Sequence, residues 1–203
     1  MALIEGVKIQ NFRSLRDLAM GRIGTDPSLR HAEPLTPLTV VIGKNGVGKS
    51  SIFDAFGFIA DCMETDLEAA CNARGRGGYD MLVSSGVVQP MSFTVYYRES
   101  HNDRPITYEI SIGKEEKTGL PIVLSERLRQ RAKSSGGSGR PRSFLHLENG
   151  KGTVYVGDDA LEGDEDSKRN VEFDTHKLAI GSLAEQFSEN PRIAQFKKFI
   201  QGW

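Results

Sequence analysis

The residues best suited to chemistry in this chain form a glycine-rich stretch at positions 43–50, with the sequence G-K-N-G-V-G-K-S. It matches the pattern G-x-x-x-x-G-K-[ST], whose backbone wraps a polyphosphate. Lys49 supplies a charge for the β- and γ-phosphates, and the Ser50 hydroxyl suits Mg²⁺, which prefers oxygen ligands. The stretch therefore predicts a site for ATP or ADP with Mg²⁺. The predicted contacts are Gly43, Lys44, Asn45, Gly46, Val47, Gly48, Lys49, Ser50 and Ser51, with Ser50 as the metal ligand and Ser51 near the α-phosphate.

The segments on either side of this loop have the composition that such a site requires. Residues 38–42, L-T-V-V-I, form a short β-branched run that predicts a buried parallel strand ending at Gly43. The apolar residues from Ile52 to Ala60 predict a core-facing helix that continues toward Cys71. The positive end of that helix would face the bound anion. Strand, glycine loop and helix in this order are the context that confirms the motif.

The rest of the chain predicts an α/β fold: a P-loop nucleotide-binding core with an antiparallel β-meander. Residues 3–12 read as a strand with Val7 and Ile9 on one face, followed by a second strand or turn over 13–20 and a loop over 24–37. Beyond Pro90 the apolar period becomes two, which predicts strands near 91–97, 106–112, 122–128, 144–147 and 154–156. Residues 178–203 return to helical spacing. We divide the chain into a core (1–90), a β subdomain (91–175) and a helical segment (176–203).

Composition narrows the class of protein. The chain has 203 residues, 38% of them hydrophobic, and a formal net charge of −1, so no global charge attracts nucleic acid. The N-terminus lacks the pattern of a signal peptide, and no apolar stretch is long enough for a membrane span. Cys62 and Cys71 are expected to be buried thiols in a reducing compartment. These features predict a cytoplasmic protein that does not contact a membrane.

Two motifs together resemble a known family. The run K-I-Q-N-F-R-S-L at 8–15, the loop at 43–51 and the I-F-D-A-F start of the helix resemble the N-terminal half of ABC-type ATPases, namely SMC, RecF-like and predicted AAA-family ATPases. This resemblance covers residues 3 to about 62. It implies an ABC/SMC-head-like N-terminal lobe acting in DNA repair, DNA maintenance or phage defence. It also implies that Arg13 and Ser14 lie beside the bound nucleotide, and that the protein pairs as a homodimer, with a missing C-terminal half or with a partner ATPase.

The motifs that this family uses for hydrolysis are missing from the sequence. Residues 135–137, S-G-G, imitate the signature loop, but R-P-R follows where a helix should begin. Residues 154–159 imitate the acidic strand end, but Gly157 interrupts it. We therefore expect an N-terminal half, from either a truncated or a natural short protein, that hydrolyses ATP negligibly. The alternatives are a non-hydrolysing nucleotide-binding regulatory module and a small-molecule P-loop kinase. About forty residues precede the loop, which disfavours a kinase.

Other charged and titratable residues carry weaker signals. Alternation places Arg127, Arg129 and Arg131 on one strand face, near Arg140 and Arg142, which is a candidate surface for tracking the phosphates of DNA. The acidic residues between Asp158 and Asp166 are expected to be a solvated loop. The four histidines are scattered and predict no catalysis.

Overall fold

In a computed structural model of the chain, the described residues are 3–100, 103–131, 141–155, 168–186 and 191–202. They form a single eight-stranded sheet with helices on one face. The strands are β1 (Leu3–Phe12), β2 (Leu15–Gly21), β3 (Met91–Arg98), β4 (Ile106–Lys114), β5 (Pro121–Arg131), β6 (Pro141–Glu148), β7 (Lys151–Tyr155) and β8 (Lys168–Glu172). Their order is β2-β1-β3-β4-β5-β6-β7-β8, and every neighbouring pair is antiparallel.

The register of the sheet explains the alternation in the sequence. One row of paired residues faces the core, namely Val7, Val95, Tyr108, Leu128, Leu145 and Val154. The next row lies on the opposite face, namely Lys8, Thr94, Glu109, Arg127, His146 and Thr153. Successive side chains of a strand point to opposite faces, so one face is apolar and the other polar.

The helices cover the apolar face. They are α1 (Lys49–Glu64), α2 (Leu67–Asn72), α3 (Tyr79–Leu82), α4 (Ala179–Gln186) and α5 (Pro191–Gln201), with a 3-10 turn at Ala73–Gly75. Helix α1 packs onto the sheet through Phe58, whose ring centroid lies 5.5 Å from that of Phe12 and 5.7 Å from that of Phe93. Helix α5 packs on α1 and inserts Phe196 against Tyr97 and Tyr108, each with centroids 5.3 Å apart.

A buried carboxylate holds the start of α4. Glu126 of β5 accepts hydrogen bonds from the backbone N–H groups of Ala179 (2.6 Å) and Ile180 (2.9 Å), and from the Tyr108 hydroxyl (2.9 Å). It thereby supplies acceptors to the orphan donors of a helix N-terminus. Burial raises the pKa of Glu126 above its ordinary value, and the three hydrogen bonds only partly oppose this effect.

The predicted parallel strand at 38–42 is wrong. These residues form no strand, and Leu38 and Ile42 are 80% and 89% exposed. A buried parallel strand needs parallel neighbours, and among the described residues every strand pair is antiparallel. Phe53, predicted to face the core, is 65% exposed. Val41 instead packs against the core, beside an apolar cavity of about 330 Å³ lined by Ile52 and Phe56.

Most other elements agree with the sequence analysis. The strands β1 to β7 and the helix after the loop are confirmed, although the helix breaks at Thr65 before α2 begins at Leu67. Strand β8 was not predicted. The S-G-G stretch at 135–137 and the acidic residues between Asp158 and Asp166 lie outside the described residues. The sheet runs without interruption from β1 to β3, and the division into three units stays a prediction. In the parts of the chain that the structure describes, no helix has the length and apolarity of a membrane span.

Candidate functional site

The phosphate-binding loop leads directly into α1. Gly46 and Gly48 have φ angles of +84° and +99°, in the left-handed region that favours glycine. Gly48 is the N-cap of α1 and contributes no side-chain hydrogen bond. The first backbone N–H groups of a helix lack intrahelical partners, so this end is open to an anion. The Nζ of Lys49 donates to the carbonyl oxygens of Gly43 and Lys44, both at 2.7 Å, which holds the ammonium over the loop.

The turn between β1 and β2 lies beside this helix end. Phe12 pairs with Leu15, so Arg13 and Ser14 form the two-residue turn of a hairpin. The Ser14 and Ser51 hydroxyl oxygens are 3.1 Å apart, within hydrogen-bonding distance. A Cβ placed on Gly48 would lie 2.7 Å from the Ser14 hydroxyl oxygen. The structure thus brings Ser14, one of the two residues implied by the family resemblance, into contact with the loop.

Arg13 is fixed by its backbone as well as by its side chain. Its φ of 51° is left-handed, which is uncommon for a residue with a side chain. Its N–H donates to the Leu82 carbonyl at 2.5 Å, and its own carbonyl accepts from the Ser84 hydroxyl at 2.8 Å. The end of α3 and the residues that follow it therefore fix the backbone of the turn.

A buried arginine that the sequence analysis missed packs against α1 behind the hairpin turn. The Arg76 side chain is 0% exposed, although it lies in the stretch R-G-R-G-G at 74–78, whose composition is typical of a flexible basic turn. Its Nε donates to Asp54 Oδ1 at 2.9 Å, and its Nη1 donates to Asp61 Oδ2 at 2.5 Å and to the Ala70 carbonyl at 2.9 Å. Its guanidinium carbon lies 5.5 Å from the Phe58 ring centroid, a favourable cation–π distance.

Asp54 joins this arginine to the hairpin turn. Its second oxygen, Oδ2, lies 2.6 Å from Arg13 Nε, at an angle that makes the contact an ion pair rather than a directed hydrogen bond. Asp54 and Asp61 are seven residues apart, which places them on one face of α1. That spacing of two carboxylates on one face of an apolar helix is the signal in the sequence that could have indicated a buried cation.

The residues present fit a nucleotide with its metal ion. Lys49 and the N–H groups at the start of α1 suit the phosphates, and Ser50 is exposed at the same end for Mg²⁺. Within the described ranges, no group of three or more His, Cys, Asp or Glu side chains forms a separate metal site. The thiols offer no nucleophile: Cys62 and Cys71 are buried, and burial raises the pKa of Cys71 to about 12.

The predicted DNA face is only partly basic. Arg127 and Arg129 lie on the polar face of β5, as the alternation predicted, but far along the sheet from the hairpin turn. Arg129 is paired with Glu109, and Arg127 donates to the Ser143 hydroxyl at 2.7 Å. The Arg131 side chain lies outside the described part of the chain.

A family model described as "AAA domain, putative AbiEii toxin, Type IV TA system" matches residues 38–173, about two thirds of the chain. The chain belongs to this family. As an AAA-family domain it is P-loop ATPase-like, which confirms the broader resemblance drawn from the sequence. The match begins at the segment that leads into the loop and includes α1, Arg76 and the meander. The narrower likeness to SMC and RecF-like proteins stays a prediction. No curated protein and no solved structure matches the chain.

Proposed function

We propose that this AAA-family domain binds ATP or ADP with Mg²⁺ at the N-terminus of α1. The observation that carries the proposal is the geometry of the loop. Two glycines in left-handed conformations lead into an uncapped helix end, and Lys49 is held above it. The loop amides and Lys49 would bind the phosphates, and Ser50 would hold Mg²⁺. The Arg13–Ser14 turn would lie on the side of Ser51, toward the α-phosphate.

Titration calorimetry with Mg-ATP and Mg-ADP tests this proposal. Lys49→Ala removes a charge-assisted hydrogen bond and should weaken binding by about 1.5–3 kcal/mol. Lys44→Ala removes an equal charge from the same loop, but this pattern assigns its side chain no phosphate contact. It should change the affinity by less than about threefold, or 0.7 kcal/mol. Equal affinities for wild type and Lys49→Ala would refute the site, and equal losses for both variants would indicate only diffuse charge attraction.

We further propose that the domain is the N-terminal lobe of a larger nucleotide-binding unit, completed by a second lobe, a partner ATPase or a second copy. The support is the segment at 38–42, which carries Leu38, Val40 and Ile42 exposed beside the phosphate site. Exposed apolar patches of this kind mark interaction surfaces. A strand added along this segment would cover the three side chains. Val40→Lys should then abolish association with the partner lobe while leaving Mg-ATP affinity within about threefold, or 0.7 kcal/mol.

A non-hydrolysing binding module is the second candidate function. The observation that favours it is that Asp54 and Asp61, the two aspartates on the loop's own helix, are both held by arginines. Neither is therefore available to orient a water molecule. DNA contact and a role in DNA repair, DNA maintenance or phage defence stay predictions. The face that carries Arg127 and Arg129 supports DNA contact only in part, because Glu109 neutralises Arg129.

A further inference from the structure

We propose that Asp54 and Arg76 are positioning residues that hold the Arg13 guanidinium against a bound nucleotide. This inference rests on the proposed nucleotide site and adds to it a relay of three side chains, Arg76 to Asp54 to Arg13. Through this relay the buried Arg76 sets the position of the Arg13 guanidinium at the edge of the nucleotide site. The relay determines how well the nucleotide is held, and it is separate from the loop's own contacts through Lys49.

The contact between Arg13 and Asp54 leaves the outer end of the guanidinium available. The ion pair runs through the Nε of Arg13, which lies 2.6 Å from Asp54 Oδ2. In the described part of the chain, neither Nη atom of Arg13 has a hydrogen-bond partner, and its side chain is 36% exposed. A guanidinium held by Nε still presents a fork of N–H donors, which suits the planar recognition of phosphate oxygens.

The position of this fork relative to the loop follows from α1. Asp54 lies one helical turn after Ser50 and Ser51, and one turn of an α-helix rises 5.4 Å. Ser14, next to Arg13, contacts Ser51 directly. The guanidinium therefore lies within about one turn of the N–H groups where the phosphates are expected, on the Ser51 side.

Arg76 fixes the carboxylate that fixes Arg13. It binds Asp54 Oδ1 and leaves Oδ2 for Arg13, so the carboxylate is held from both sides. Arg76 is itself immobilised by Asp61, by the Ala70 carbonyl and by the Phe58 ring. Gly57 leaves room beside both arginines: a Cβ there would lie 2.9 Å from Arg74 Nη1 and 3.4 Å from Arg76 Nη2. A salt bridge with an exposed, freely rotating carboxylate would hold Arg13 much less firmly.

A double-mutant cycle tests the relay by Mg-ATP titration calorimetry. Arg13→Gln should weaken binding about tenfold or more, as expected for a charge-assisted contact. Arg76→Gln should weaken it about threefold or more in the wild-type background and have no further effect when Arg13 is already Gln. Arg74→Gln is the matched control, because Arg74 pairs with Asp61 but not with Asp54. This control should leave the affinity unchanged.

The outcomes separate a positioning role from a structural one. If Arg76→Gln weakens binding equally in both backgrounds, or if Arg74→Gln has the same effect, the relay is refuted and Arg76 is only structural. If Arg13→Gln binds Mg-ATP as wild type does, the relay is refuted while the loop site stands. If Lys49→Ala also binds as wild type does, the proposed function fails as well. If circular dichroism shows that Arg76→Gln does not fold, Asp54→Asn replaces it in the same double-mutant cycle, because Asp54 links Arg76 to Arg13.

Discussion

Two glycines of the phosphate-binding loop allow a prediction in which strain and collision are measured separately. Gly46 and Gly48 both have left-handed φ angles, but a Cβ on Gly46 would meet nothing within 4 Å. A Cβ on Gly48 would lie 2.7 Å from the Ser14 hydroxyl oxygen and 3.0 Å from Leu15 Cδ2. Gly46→Ala should therefore cost only the left-handed conformation, about 1–2 kcal/mol of the free energy of unfolding. Gly48→Ala should cost about 0.5–1.5 kcal/mol more, because Ser14 must leave Ser51.

Urea unfolding without nucleotide measures both variants. With a slope of about 2–3 kcal/mol/M, the extra cost lowers the midpoint of Gly48→Ala by roughly 0.2–0.7 M relative to Gly46→Ala. Ser14→Ala removes the closest atom, so in that background Gly48→Ala should cost nearly the same as Gly46→Ala. Equal midpoints for the two alanine variants would refute the placement of the hairpin turn against the loop. An extra cost that survives Ser14→Ala would assign the collision to Leu15 instead.

Two further predictions concern the core. Phe58→Ala should lower the free energy of unfolding by about 3–5 kcal/mol, because Phe58 is fully buried between Phe12 and Phe93. Phe53→Ala on the same helix should change it by less than about 0.5 kcal/mol, and similar urea midpoints for the two variants would contradict the orientation of α1. Burial raises the pKa of Glu126, so its stabilising contribution is complete below the ordinary glutamate pKa of 4.5 and is lost as the pH rises through the folded-state value. The free energy of unfolding of wild type should therefore fall relative to that of Glu126→Gln between pH 4 and pH 8, and parallel curves would show that Glu126 titrates alike in both states.

The sequence predicted the elements whose signals are local. The period-two alternation of Phe93, Val95 and Tyr97 depends only on the strand's own two faces, and all three side chains are buried in β3. The loop and the start of α1 are similarly determined by glycines and by a continuous apolar run. Such signals need no knowledge of which strands are neighbours.

The segment at 38–42 could not be predicted in the same way. Its β-branched composition shows that it suits burial between parallel strands, but not which chain segment supplies those strands. The described residues supply none, and Ile42 is left exposed.

Arg76 was missed for the opposite reason. Its glycine neighbours predict a flexible turn, whereas two aspartates far from it in sequence draw it into the interior. Burial of a charge depends on such distant partners.

The pairing of β1 with β3 sets the order in which a growing chain can assemble the site. Arg13, Lys49 and Arg76 all precede β3 in the sequence, yet α1 packs on a surface that Phe12 of β1 and Phe93 of β3 make jointly. The whole stretch between these strands is a closed loop whose ends meet only after β3 has been synthesised. During translation, a ribosome-bound chain that ends before residue 91 would carry every residue of the phosphate site but only the β1–β2 hairpin to hold α1. The ability to bind nucleotide would then appear once β3 has emerged. Strands β4 to β8 would afterwards pair one after another with the edge of a sheet that already carries the phosphate site.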